Sequence, residues 1–315
     1  MDFLRICEVG LRDGLQNEGH LVNTAVKLGL LNKLTSAGLR YLEVASYVKP
    51  SAVPQMADSD QIMKTAVSRY NQPPYQFTGL VFNKRGYERA LASGCSSIAI
   101  GLTVTEAFCQ NNIRMTVAQN MKIGRELVEQ AKFDGVWVRA YLSTAWVCPF
   151  EGRTPPERTI GMSEEIFSWG VDELAIADTI GHANPLEVGR MMEQLGRQLD
   201  MSKLAVHLHD TQALGMANVS AAIQAGVRIV DSSIGGLGGC PFAPGAAGNI
   251  ATEDVAFLAH KLGVGTGIDF PALMDIIPEV ETAVNHSAGG RIRSWWESHC
   301  QLEKDAQEEL EVRDW

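Results

Sequence analysis

His207 and His209 stand two residues apart in Ala205-Val206-His207-Leu208-His209-Asp210-Thr211, an apolar run that reads as a β-strand. Side chains on a strand alternate faces, so both imidazoles project to one side, about 6–7 Å apart along the strand. Two imidazoles converging from one strand can share a metal ion. They can equally be core histidines satisfied by hydrogen bonds, and the decision rests on what other strands bring to the same place. Polar residues end several other apolar runs: Glu8 followed by Arg12 and Asp13, then Glu43, then Asp178-Thr179. The stretch Gly235-Gly236-Leu237-Gly238-Gly239-Cys240-Pro241 leads through Gly245 and Gly248 to Asn249. A carboxylate, two imidazoles and an amide oxygen make a mixed oxygen and nitrogen donor set suited to Mg2+ or Mn2+. Thiolate-bound zinc fits less well, because Cys240 is the one cysteine near these residues.

The elements that would position these groups alternate along the whole chain. Strands are expected at Phe3–Glu8, Tyr41–Ala45, Gln76–Phe82, Ser97–Leu102, Val136–Leu142, Glu173–Asp178, Leu204–His209 and Ile229–Ser232. Helical patterns fall near 23–37, 58–70, 85–93, 116–132, 156–169, 185–199, 213–225 and 252–262, several with caps or first turns such as Asn23-Thr24, Asn184-Pro185 and Thr252-Glu253-Asp254. Eight βα units with apolar strands predict an α/β fold, a (β/α)8 TIM barrel. No Gly-x-Gly-x-x-Gly follows the first strand, which counts against a dinucleotide-binding sheet. The expected division is a catalytic barrel over 1–265 and a C-terminal helical extension over 266–315, with one helix at Pro271–Val284 and an acidic amphipathic end. In such a barrel the active site lies at the C-terminal ends of the strands, where the polar residues above collect.

The chain of 315 residues is 45% hydrophobic and 20% charged, as a globular protein with a large core requires. A formal net charge of −10 argues against binding nucleic acid or an anionic membrane. It leaves room for an anionic metabolite held by a local positive site. Six scattered cysteines without a Cys-x-x-Cys pair read as reduced thiols. With no secretory or transit pattern and no apolar stretch near the ~20 residues of a membrane span, the expected location is the cytoplasm. Trp295, Trp296 and Trp315 on the amphipathic tail suggest a self-association surface, hence a homo-oligomer, dimer or tetramer.

Glu8-Val9-Gly10-Leu11-Arg12-Asp13-Gly14-Leu15-Gln16-Asn17-Glu18 resembles the opening motif of the 3-hydroxy-3-methylglutaryl-CoA lyase family, part of a metal-dependent barrel superfamily of lyases and Claisen-type synthases. His207–Thr211 resembles the metal strand of that family, and Gly238-Gly239-Cys240-Pro241-Phe242-Ala243 its cysteine loop. Gly245-Ala246-Ala247-Gly248-Asn249 resembles its last ligand motif, and similarity covers roughly residues 3–270. The resemblance implies that Asp13, His207, His209 and Asn249 hold a divalent cation, Mg2+ or Mn2+. It implies that Arg12 neutralises the thioester oxygen and that Cys240 is an acid/base on a mobile loop. Glu43 and Asp178 fall at acidic positions near the metal, as supporting or proton-handling residues. The expected substrate contacts are Arg12, Gln16, Asn112, Trp146, Thr179 and His182.

The implied reaction explains these residue types. A 3-hydroxyacyl-CoA with a tertiary alcohol breaks its C2–C3 bond only if the alkoxide and the acetyl-CoA enolate are both stabilised. A cation lowers the pKa of the alcohol, Arg12 meets charge developing on the thioester oxygen, and Cys240 protonates the enolate carbon. The base is one of the metal-side carboxylates or His207. The glycines around Cys240 let the loop close and exclude water. Read singly, Cys240 is also a small buried apolar residue, Arg12-Asp13 a surface ion pair, and Gly235–Gly239 a phosphate loop lacking its Lys-Ser/Thr.

Three departures bear on the substrate. Thr144-Ala145-Trp146-Val147-Cys148-Pro149-Phe150-Glu151-Gly152 places a Trp where the family pattern has Leu, His182 follows Asp178-Thr179-Ile180-Gly181, and no basic residue stands at Gly19 or Gln110-Asn111. Trp146 is expected to shorten the acyl pocket, which raises citramalyl-CoA, one methylene shorter and yielding pyruvate, as the alternative to 3-hydroxy-3-methylglutaryl-CoA. A pocket discriminates one methylene by ~1–3 kcal/mol. A Claisen-type synthase is less favoured by Gly-Gly-Cys-Pro, metal-dependent hydrolases carry His-x-His on the first strand, and a non-catalytic binding protein is the remaining class.

Overall fold

The computed structural model describes residues 2–70, 74–239 and 248–300. Four parallel strands come first, β1 (Arg5–Glu8), β2 (Tyr41–Ser46), β3 (Gln76–Val81) and β4 (Ser97–Thr103). They are followed by β5 (Trp137–Ser143), a short antiparallel hairpin of β6 (Val147–Cys148) and β7 (Gly152–Arg153), and then β8 (Glu173–Asp178), β9 (Leu204–Leu208) and β10 (Ile229–Ser232). Without the hairpin these strands close into an eight-stranded parallel barrel, β10 pairing back onto β1 with Cys7 beside Asp231. The expected (β/α)8 barrel is the fold.

Helices cover the outside: α1 (Thr24–Ser36), α2 (Ser59–Arg69), α3 (Lys84–Ala92), α4 (Glu106–Ile113), α5 (Val117–Phe133), α6 (Pro156–Ser168), α7 (Pro185–Gln198), α8 (Gly215–Gln224) and α9 (Thr252–Lys261). Caps set their starts. Asn23 accepts from the Val26 amide at 3.0 Å, and Asn184 forms a reciprocal capping box with Glu187 ahead of Pro185. Two differences from the sequence reading stand out. α4 was not expected, and the expected Pro271–Val284 helix is two helices, α10 (Phe270–Met274) and α11 (Ile277–Val284). Among the described residues no helix is long and apolar enough to cross a membrane.

Alternation along each strand sorts the core into two layers. Ile98, Ile100, Leu174, Ile176, Leu204 and Val206 join the larger cluster between barrel and helices. Their neighbours Ala99, Ala175 and Ala205 join Cys7, Leu80, Tyr141 and Ile229 in a smaller one inside the barrel. The strands are therefore apolar on both faces, as a covered parallel sheet requires. His207 and His209 share the parity of Ala205, so they continue the inside column upward. Cys7, Cys95, Cys109, Cys148 and Cys300 are free thiols.

Candidate active site

β9 delivers His207 from its penultimate position, and His209 follows one residue beyond its end, bridged to Asn249. The two rings lie 5.1 Å apart at 76°. Asp13 reaches them from one turn of π-helix, Gly10–Gly14, that follows β1. Asp13, His207 and His209 offer ligand atoms within 4.8 Å of one another, a possible metal site. Burial raises the Asp13 pKa, but the charge of Arg12, then His207 and His209, and a bond from Asn249 outweigh it and hold the carboxyl well below its usual range. Burial, helped by His207, pushes His209 down to about 4, so its imidazole is neutral at pH 7 and keeps a lone pair. The Asn249 amide nitrogen donates to Asp13 Oδ2 at 2.9 Å and to the Leu237 carbonyl at 3.1 Å. One carboxylate and two imidazoles suit a divalent cation with mixed oxygen and nitrogen ligands, while Asn249 presents its amide nitrogen, not its oxygen, to Asp13.

Arg12 is held on two sides. Its Nε donates to Glu43 Oε1 and its Nη1 to Asp13 Oδ1, while the Tyr141 hydroxyl donates to Glu43 Oε2 at 2.7 Å. Glu43 thus fixes the guanidinium from below, and Arg12 lines a cavity of about 320 Å3 at the C-terminal mouth of the barrel. Asp13, Gln16, Asn112, Thr179, His207 and His209 line the same cavity. The chain beside it is tightly drawn: Gly238 has φ +106°, and a Cβ there would sit 2.6 Å from Asn249 Nδ2. Asn17 ties the opening motif to this stretch through the Gly239 carbonyl at 2.7 Å.

Several expectations need correction. Trp146 does not border the cavity. It is 5% exposed in the outer core and points its indole N–H at the Glu187 carbonyl, 3.4 Å away. His182 is exposed and likewise off the cavity wall. The Asp178 carboxylate accepts the amides of His182 and Ala183 at 3.0 Å each, closing the turn after β8, and only its backbone carbonyl touches the site, at His209 Nδ1. Glu43 acts on the cavity through Arg12 rather than facing it. Cys240 lies outside the described residues.

The sequence reading missed the layer beneath. His207 Nδ1 is 3.0 Å from Asp231 Oδ2 on β10. Arg139 on β5 donates to Asp231 and pairs with Glu173 on β8 at 3.0 Å, and Glu173 also pairs with Arg5 on β1. Tyr141 stands between, its ring 4.9 Å from the Arg139 guanidinium and 5.8 Å from that of Arg12. Period-two alternation could have found these residues, because Arg139 and Tyr141 share one face of β5, and Ile229 and Asp231 one face of β10.

A family model described as HMGL-like matches residues 3–280. A hydroxymethylglutaryl-CoA lyase of Pseudomonas mevalonii is 39% identical over 88% of this chain and 91% of its own length. The chain belongs to the hydroxymethylglutaryl-CoA lyase family. The crystal structure of a hydroxymethylglutaryl-CoA lyase from Pseudomonas aeruginosa superposes with a TM-score of 0.90 at 35% identity, covering 95% of this chain and 98% of the other. An HMG-CoA lyase from Acinetobacter baumannii, solved with coenzyme A and 3-methylmalate, superposes at 0.88 with 33% identity over 93% and 95% of the two chains.

Proposed function

We propose that this member of the family cleaves 3-hydroxy-3-methylglutaryl-CoA to acetyl-CoA and acetoacetate. It is a carbon–carbon lyase acting on an acyl-CoA. The observation that carries the reading is Asp13, His207 and His209 converging within 4.8 Å beside a buried, doubly held Arg12 at the mouth of a barrel. Asp13, His207 and His209 would hold a divalent cation, Mg2+ or Mn2+, joined by Asn249 once its amide turns its oxygen in place of the nitrogen that now faces Asp13. When bound, it supplies Lewis acidity that lowers the pKa of the tertiary alcohol.

The chain's own groups do the rest. Arg12 uses Nε and Nη1 on Glu43 and Asp13, and its Nη2 meets the thioester oxygen where enolate charge develops. Asp13, the carboxylate lining the cavity, takes the hydroxyl proton as the C2–C3 electron pair moves to the thioester enolate, because His207 gives its Nδ1–H to Asp231 and its Nε2 lone pair to the cation. Cys240 then gives a proton to the enolate carbon. Gln16, Asn112 and Thr179 contact the acyl-CoA. The citramalyl-CoA alternative rested on Trp146 and His182; Trp146 lies in the core and His182 is off the cavity wall, so among the described residues nothing in the site favours it.

Product analysis tests the reading: with Mg2+ or Mn2+, the purified protein forms acetoacetate from 3-hydroxy-3-methylglutaryl-CoA at a kcat/KM at least tenfold above that for citramalyl-CoA. No acetoacetate, or faster pyruvate release, overturns it. We propose a cytoplasmic location, which the free thiols support and which cell fractionation checks. We also assign a homo-oligomer, dimer or tetramer. Trp295 is 48% exposed, stacked on His299 and 5.5 Å from Phe257, and a monomer in light scattering would refute the assignment.

A further inference from the structure

Asp231 and Arg139 have no part in the chemistry above, yet they sit directly under one of its imidazoles. Both are enclosed in the barrel, at 1% and 4% exposure. Asp231 divides its oxygens: Oδ1 accepts from Arg139 Nη2, and Oδ2 faces His207 Nδ1 at 3.0 Å. A carboxylate accompanied by a guanidinium only accepts hydrogen bonds, so the partner nitrogen of His207 must carry a proton. In a neutral imidazole the other nitrogen, Nε2, then keeps its lone pair. That nitrogen points at the cavity, 3.7 Å from Asp13 Oδ2.

We infer that Asp231, clamped by Arg139, is a positioning residue that locks His207 in the Nδ1–H tautomer and so aims an Nε2 lone pair into the active site. Arg139 makes the lock directional. A guanidinium has five N–H donors and no acceptor, so whatever occupies position 231 must show it an oxygen. An aspartate has a second oxygen left for His207. An asparagine does not: it turns its oxygen to Arg139 and its NH2 to His207 Nδ1, which must then accept. Proton and lone pair change places on the ring, and Nε2–H faces the cavity. D231N therefore reverses the tautomer at almost no change in volume.

His209 is the internal control. Its Nδ1 faces the backbone carbonyl of Asp178 at 2.9 Å, an acceptor that no side-chain substitution at 231 alters. Its tautomer stays Nδ1–H in both proteins.

The inference rests on the lyase reading only for its consequence in catalysis, so its first test uses neither substrate nor cation. Protein labelled with 15N-histidine carries seven histidines, and His207→Gln assigns the resonance of interest. In the unaltered protein, at a pH where the ring is neutral, His207 shows a protonated Nδ1 and an unprotonated Nε2. In D231N the two exchange while His209 is unchanged. Finding Nε2–H in the unaltered protein, or no exchange in D231N, overturns the inference. The first of these needs no variant, so a D231N protein that fails to fold does not shelter it. The second test is Mn2+ affinity by electron paramagnetic resonance, expected to fall about 10–100-fold in D231N. Adding Arg139→Met frees the asparagine to present its oxygen to His207 and recovers at least half of the lost affinity on a logarithmic scale. A D231N loss that Arg139→Met leaves untouched points to a merely structural role and also overturns the inference. If the unaltered protein makes no acetoacetate, the lyase reading fails while the tautomer result stands.

Discussion

Arg12 answers to two carboxylates through two different nitrogens, Nε toward Glu43 and Nη1 toward Asp13. A lysine ammonium is a single point on a flexible stem and cannot span both. Arg12→Lys and Arg12→Met are therefore both expected to lower kcat/KM for 3-hydroxy-3-methylglutaryl-CoA by 10²-fold or more, on the scale of losing one charge-stabilising donor. A lysine variant within tenfold of the unaltered enzyme would show that position, not the fork, is what matters. Trp146 gives the opposite kind of prediction. Packed in the outer core, it should cost about 3–5 kcal/mol of stability when cut to alanine, read from urea denaturation, while the preference between the two acyl-CoA thioesters stays put. The contrast marks how far single residues were legible. His207 and His209 follow from alternation, and Asp13 from the resemblance of its motif. Trp146 does not, because the chain turns at Thr144, where φ is 57°, and alternation from β5 no longer says where the next side chains point.

At the scale of elements, the turn Ile234–Gly236 that leads toward Asn249 is held from both sides by buried carboxylates. Glu8 accepts the amides of Gly10 and Ile234 at 2.8 and 2.9 Å, and Glu253 that of Gly235 at 3.1 Å. Burial raises both from 4.5 to about 7. Between those values the folded state holds a proton that the unfolded state has released. Stability from each group is therefore highest below pH 4.5 and declines as pH rises to about 7, by on the order of 3 kcal/mol. Glu8→Gln fixes the uncharged form. The difference in unfolding free energy between variant and unaltered protein should grow in the variant's favour from pH 5 to pH 8, and a constant difference would refute the assignment. The element missed in the sequence, α4, has a physical excuse. Thr105 caps it with no side-chain bond, and its polar run Gln110-Asn111-Asn112 gives little apolar periodicity. The π-helical turn at Gly10–Gly14 carries no pattern of its own, although the motif it presents was plain.

For the whole molecule, the apolar runs announced a barrel covered on both faces, but they concealed that its interior is partly ionic. Arg5, Glu173, Arg139 and Asp231 form a chain of four charges, two of each sign, beneath the site. Taking such charges out of water costs several kcal/mol each, and mutual pairing offsets that cost only while the set is complete. Glu173→Gln removes the acid shared by both arginines and leaves two cations facing one carboxylate. The expected loss is about 3–5 kcal/mol, seen as a lower urea midpoint. The hydrogen bond from His207 to Asp231 is untouched, so Mn2+ affinity in the folded protein should stay within about threefold of the unaltered value. Removing the outer pair together gives the discriminating case. Arg5→Met with Glu173→Leu leaves Arg139 and Asp231 as one balanced pair, so most of the lost stability returns even though more charge has been deleted. If the double variant is instead less stable than Glu173→Gln alone, charge balance is not what governs this interior, and the packing of the long side chains is.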